Sequence, residues 1–326
     1  MAVKLAENQV EIEIVNAVLS RIAHDYCNKF RKCGVNNKKG MRSIYIFIVL
    51  LCWSCSQQSQ LKVPHFKALQ EVDEPLSLPE ASDWRVQHKE KPQTFVDFLK
   101  RKVVKIDADH FIIYLQPIGS FSKEEHRLIR DVQKYLTAFY QTQVTLAQPM
   151  DSTVIPEKGK RFVAGKVQWK TGPILHEVLQ PTQYLNAVVV MAITPTDLYP
   201  QDRWNFVFGQ ASYTERVGVS SFHRLAVANN YTLTLQRLVK TSVHEIGHMF
   251  SLAHCLHAKC VMNGTNSLQE SDRQPMYACS ECLAKLDVHR SWDLKKRMED
   301  LIALSELFHF ESDCVHLKKQ KKAMEL

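Results

Sequence analysis

The sequence predicts a mixed α/β fold, and three observations carry that prediction. Short apolar runs at 110–119, 185–193 and 217–222 read as strands. They are interleaved with longer segments of helical periodicity at 122–140 and 232–250, the alternation expected of helices layered on a mixed sheet. Histidines and cysteines then crowd into 244–282, so one long helix carries the candidate site and four cysteines staple a C-terminal subdomain.

Taken in order, HFIIYLQPIG (110–119) is a strand. SKEEHRLIRDVQKYLTAFY (122–140) is a helix, with Ser122 as N-cap and Glu125 three residues on completing a capping box. QVTLAQ (143–148) is a strand, followed by a loop containing Pro and Lys. LNAVVVMAI (185–193) is a buried strand, and NFVFGQA and VGVSSF are two more. Leu233, Leu235, Leu238, Val243, Ile246, Met249 and Phe250 recur at helical spacing with no Gly or Pro before Gly247. WDLKKRMEDLIALSELF (292–308) reads as a closing amphipathic helix.

His244 and His248 are four apart, hence stacked on one helix face, where two imidazoles can hold one zinc ion. Glu245 lies beside the first of them, placed to take a proton from a water on the metal. His254 supplies a third nitrogen if the chain turns back after the helix. In the metzincin pattern HExxHxxGxxH a glycine makes that turn; here Ser251 stands in its place. A non-glycine residue in the left-handed region costs about 1–2 kcal/mol, small against the affinity of a three-histidine site. A surface helix that happens to carry two histidines is the competing reading of the bare HExxH.

Cys255 and Cys260 form C-x4-C, and Cys279 and Cys282 form C-x2-C eighteen residues later. Two close thiolate pairs suit a closed, structural zinc site that clamps the segment delivering His254. Two disulfides, or unlinked buried thiols, are the competing arrangements. Met262, between the pairs, is expected to form an apolar floor beneath the histidine site.

HEIGHMFSLAHC, LHAKCVM and CSEC together resemble the archaemetzincin pattern HExxHxxGxxHC, x4-C-x-M and CxxC. Ser251 and a slightly short, sixteen-residue spacer are the departures. TDLYPQDRWNFVFGQA (196–211) and VGVSSFHRL (217–225) resemble the strands bordering the cleft of that family, so the resemblance spans roughly residues 100 to 290. It implies a metzincin-like zinc protease fold and a zinc metallopeptidase acting on peptide or protein substrates. Carried over by motif, His244, His248 and His254 bind catalytic zinc, Glu245 is the general base, and Cys255, Cys260, Cys279 and Cys282 bind a second, structural zinc. The alternative is a catalytically weak zinc-binding module built on the four-cysteine site; a hydrolase for non-peptide amides is a third reading.

MRSIYIFIVLLCWSCSQ (41–57) has an apolar run of ten residues, too short to span a membrane but suited to a signal-peptide core. It resembles a bacterial lipoprotein signal over 41–55, with Cys55 as the acylated membrane anchor and Cys52 the weaker candidate. Residues 1–40 are then an upstream extension, and the protein is extracytoplasmic; a cytoplasmic protein with a short buried helix is the alternative. The polar composition of 56–95 reads as a linker, 96–312 as the catalytic domain and 313–326 as a basic tail. The net charge of +8 comes without the aromatic and basic interleaving of a nucleic-acid surface, so no nucleic-acid partner is expected. Among other polar residues, Asp197, Tyr199 and His223 are weaker candidates for the cleft, and Cys314 is an isolated thiol.

Overall fold

In the computed structural model, strand β1 (Ile112–Pro117) belongs to the five-stranded sheet that backs the site. Residues 66–326 are described, apart from 102–103, 180–183, 185, 290–291 and 326. All of them belong to one compact unit, His65–Leu326. The expected extension, signal and Cys55 lie outside the described residues. Among the described residues no helix is long and apolar enough to cross a membrane.

The main sheet also contains β2 (Gln143–Leu146), β5 (Ala187–Thr194), β7 (Gly209–Ser212) and β8 (Val217–Ser221). Its order is β2-β1-β5-β8-β7, parallel except for β7, which pairs antiparallel with β8 and forms one edge. Every residue of β5 is buried, which explains its unbroken apolar sequence: both faces are covered, so no alternation is needed. A smaller sheet is made of β3 (Lys160–Val163), β4 (Lys166–Lys170) and β6 (Asp197–Tyr199), in the order β3-β4-β6. Sequence reading had β3 and β4 as loop, because their charged residues break any apolar run.

Helix α1 (Lys123–Tyr140) starts with the expected capping box: Glu125 N–H donates to Ser122 Oγ and Ser122 N–H to the Glu125 carboxylate. It packs on helix α2 (Tyr231–Met249), whose Leu235, Leu238, Val239, Val243 and Ile246 are all buried. Beyond the site come α3 (Leu268–Asp272), α4 (Ser280–Asp287), α5 (Leu294–Leu307) and α6 (Glu311–Ala323).

Two expectations from composition do not match this architecture. Residues 313–325 are not a solvated tail. They belong largely to α6, which packs on α5 and buries Cys314, Leu317 and Gln320 beneath its lysines. The described part of 56–95, expected as linker, is anchored by buried Leu69, Asp83 and Gln93 and is helical at 66–70 and Trp84–Gln87, with a further short helix, Phe95–Leu99, following. Several of its polar side chains bond to the rest of the protein, among them Asp73 to Ser280, Glu90 to His254 and Gln93 to Ser251 and Ala253.

Candidate metal centre

The site begins where α2 ends. His244 and His248 leave the same face of the helix, and their Nε2 atoms come within 3.0 Å of each other. Two nitrogens on one tetrahedral zinc lie roughly 3.3 Å apart, so this spacing fits a shared ion. The chain then reverses. Ser251 takes φ +70°. Its N–H donates to the His248 carbonyl at 2.8 Å, and the Leu252 N–H donates to the Gly247 carbonyl at 3.1 Å. These two bonds form the Schellman closure, with serine at the position glycine usually fills.

That turn brings the third ring into place. The ring centre of His254 lies 5.2 Å from that of His244 and 4.9 Å from that of His248. One ligand atom from each of the three falls within 4.8 Å of the others. Their outer nitrogens are spoken for. His244 Nδ1 donates to the Val261 carbonyl at 2.8 Å and His248 Nδ1 to the Leu252 carbonyl at 2.7 Å. His254 Nδ1 donates to Glu90 at 2.8 Å. Fixing the hydrogen on Nδ1 leaves Nε2 as the lone-pair nitrogen, the tautomer that binds a metal. Burial pulls the pKa of His244 down to about 3 and that of His248 well below the usual range, so both stay neutral and ready to ligate.

Glu245 is buried beside this group, and burial pushes its pKa up to about 8. It faces β7: a Cβ added at Gly209 would come within 2.8 Å of Glu245 Cγ and Oε1. Met262 lies under the helix as expected. A Cβ at Gly247 would meet its sulfur at 2.4 Å, so the glycine inside HEIGH makes room for the methionine floor.

The second cluster lies just beyond His254. Cys255, Cys260, Cys279 and Cys282 are buried, not disulfide-linked, and have their sulfurs within 4.8 Å of one another. Cys255 and Cys279 Sγ are 3.6 Å apart, close to the roughly 3.8 Å between thiolates on one zinc. Backbone N–H groups of Met262 and Cys279 point at Cys260 Sγ at 3.5 and 3.4 Å, the donor pattern that supports a thiolate. Hydrogen bonds from Cys260, Cys279 and Cys282 hold the Cys255 thiol low, whereas burial pushes Cys260 up.

Three residues at the first centre were not legible in the sequence, and all come from the stretch expected to be linker. Glu90 orients His254. Burial works against its charge, but hydrogen bonds from His254 and Trp84 outweigh it and keep its pKa below the usual value. Gln93 grips the turn on both sides, donating to the Ser251 carbonyl at 2.9 Å and accepting from Ala253 N–H at 3.0 Å. Trp84 packs edge-on against His254 with ring centres 4.9 Å apart. A fourth missed residue, Tyr213, follows β7; its hydroxyl is 2.8 Å from His248 Nδ1, close enough to share that hydrogen. Of the weaker candidates, Asp197 is held by Arg224 at 2.7 Å, and Tyr199 lies under the Arg161 guanidinium at 3.7 Å. His223 contacts the Pro195 carbonyl, and the Cys314 thiol faces Glu306 at 3.9 Å. None of these four joins the histidine cluster.

The cavity over the histidines has a volume of about 400 Å³ and is walled by α2, β7, the 200–208 loop and Trp84. The model of Peptidase family M54 matches residues 127–288. Archaemetzincin-2 of Macaca fascicularis is 33% identical over 280 residues, covering 73% of this chain and 76% of its own length. The chain belongs to the archaemetzincin family. The archaemetzincin of Thermococcus kodakarensis is 32% identical over 180 residues, covering 54% of this chain and 95% of its own. The crystal structure of the archaemetzincin of Archaeoglobus fulgidus covers 53% of this chain and 99% of its own at 31% identity, with a TM-score of 0.45. As an archaemetzincin, this protein is a zinc metallopeptidase acting on a peptide or protein substrate.

Proposed function

We propose that this archaemetzincin cuts peptide bonds at a zinc held by His244, His248 and His254, with Glu245 as general base, and that a second, structural zinc sits on Cys255, Cys260, Cys279 and Cys282. The observation that carries this reading is the convergence of three imidazoles whose Nδ1 hydrogens are all engaged elsewhere. Zinc bound there supplies a Lewis acid that polarises the scissile carbonyl and acidifies water. Glu245 takes a proton from the attacking water and hands it to the departing amine. Its burial suits that traffic, because a carboxylate raised toward neutral pH both accepts and releases a proton readily. β7 is an edge strand on the cavity wall, so an extended peptide gains backbone hydrogen bonds by pairing alongside it.

The alternative, a zinc-binding module built on the cysteine site alone, would be favoured if Ser251 displaced His254 from the other two histidines. The closed turn around Ser251 and the two bonds from Gln93 support the reading with His254 as a ligand. The decisive experiment combines zinc analysis with a panel of fluorogenic peptides. Two zincs per chain are expected, falling to one in His254→Ala. Glu245→Ala keeps both metals and loses turnover by a factor of at least about 10². Full activity in Glu245→Ala, or a single zinc in the unsubstituted protein, would overturn the mechanism; cleavage of simple amides but of no peptide would favour the third reading.

The lipid anchor at Cys55 and an extracytoplasmic location form a separate proposal, supported by the 41–55 pattern alone. Mass spectrometry of the native amino terminus tests it, and a peptide from residues 2–20 in the mature protein would refute it.

A further inference from the structure

One turn before the metal centre, α2 carries a lysine that the mechanism does not use. Lys240 precedes His244 by four residues and therefore shares the helix face that presents the histidines to the cleft. Its side chain is 6% exposed and lines the cavity that holds the histidines. Of the three donors of its ammonium, one is spent on the Ser271 carbonyl at 2.5 Å. Among the described residues it has no ion pair. Of the two carboxylates whose charge reaches it, Asp272 is paired with Arg237 at 2.5 and 2.9 Å, and Asp313 bonds to the Met276 N–H at 2.7 Å and Gln236 at 3.3 Å without touching the ammonium.

A buried cation that no carboxylate touches is costly even with Asp313 and Asp272 acting on it from a distance, and an anion entering the cavity would offset that cost. The cost is visible in the titration of the group, since burial drags the Lys240 pKa to about 8 against the pull of Asp313 and Asp272. The cavity offers no replacement from the protein. Apart from the histidines, its charged lining is Lys240, Arg203 and Glu245, two cations against one carboxylate that is raised by its burial.

We propose that Lys240 forms an anion subsite of the cleft, receiving a carboxylate of the bound peptide next to the bond that is cut. The proposal rests on the peptidase reading above and narrows its substrate to peptides with an acidic group beside the scissile bond. Four helical residues advance about 6 Å along the axis, and an extended peptide advances about 3.3 Å per residue. The carboxylate therefore sits within one or two residues of the reacting carbonyl. It is either a Glu or Asp side chain or the free C-terminus, which present the same chemistry to Lys240.

The test measures binding, so that it does not depend on turnover. Fluorescein-labelled pentapeptides are titrated by anisotropy against full-length, zinc-loaded protein carrying Glu245→Ala. Each is made with Glu or Gln at the residues flanking the central bond, and as the C-terminal acid or amide. The expected result is a preference of about tenfold for one carboxylate-bearing form over its neutral isostere. Which pair shows it distinguishes a side-chain from a terminal carboxylate. Lys240→Met in the same background abolishes the preference, and Lys240→Arg keeps most of it, with zinc content and Tm as folding controls. Should the methionine variant not fold, Lys240→Gln takes its place. Equal affinities for acid and isostere, no binding of either at millimolar concentration, or a preference that survives loss of the lysine would each overturn the proposal. Selective acid binding in this background, with no cleavage of the same peptides by the protein that keeps Glu245, would leave the subsite standing and count against the peptidase reading.

Discussion

Ser251 holds a left-handed backbone that glycine would hold at less cost, and the fold compensates through Gln93. The amide of Gln93 bonds to the carbonyl of Ser251 and the N–H of Ala253, so both sides of the turn are fastened by one buried side chain. Gln93→Ala leaves those two backbone groups without partners. The expected cost is about 2 kcal/mol, seen as a fall of roughly 5 °C in Tm together with weaker zinc retention. An unchanged Tm would show that water replaces the amide. Glu90 acts on His254 in a different way, by fixing its tautomer. Glu90→Gln keeps the shape and loses the charge, and such outer partners are worth about 10- to 100-fold in metal affinity. Competition against a calibrated chelator measures the loss, and an affinity within twofold of the parent would remove Glu90 from the centre.

At the scale of elements, α2 and the segment after it act as one device. The helix sets two histidines, the Schellman turn sets the third, and the cysteine pairs hold the returning chain. Met262 belongs to that segment and seats itself against Gly247. Gly247→Ala would raise the intrinsic helix propensity yet push a methyl group into the methionine sulfur. The steric term wins: overpacking costs about 1–3 kcal/mol, whereas alanine gains at most about 1. The measured outcome is a lower Tm with reduced turnover. A more stable Gly247→Ala protein would mean that Met262 moves aside freely.

For the whole molecule, the histidine and cysteine clusters differ in accessibility, so the proposal of a zinc on each predicts two steps in metal removal. The histidine centre opens to the 400 Å³ cavity, whereas the cysteine cluster is closed and buried. A mild chelator should strip the first zinc and abolish activity with little change in far-UV circular dichroism. Loss of the second, under harsher chelation, should lower Tm sharply, because four thiolates would face one another without a cation. Simultaneous loss of both metals in one unfolding step would contradict this order.

The sequence by itself determined the residues that can bind metal, the helix that carries two of them, the capped α1 and the buried strands of the main sheet. Those are local facts, written in helical spacing, ligand chemistry and uninterrupted apolar runs. The three-dimensional arrangement alone decided what Trp84, Glu90, Gln93, Tyr213 and Lys240 do. None of the first three belongs to a periodic pattern, and each meets its partner more than 150 positions further along the chain. Composition reads such a stretch as solvated because it counts polar atoms without knowing which polar atoms await them. The same limit hid α6, whose four lysines mask the side chains it buries, and Lys240, whose lack of a touching carboxylate is a property of the surrounding space.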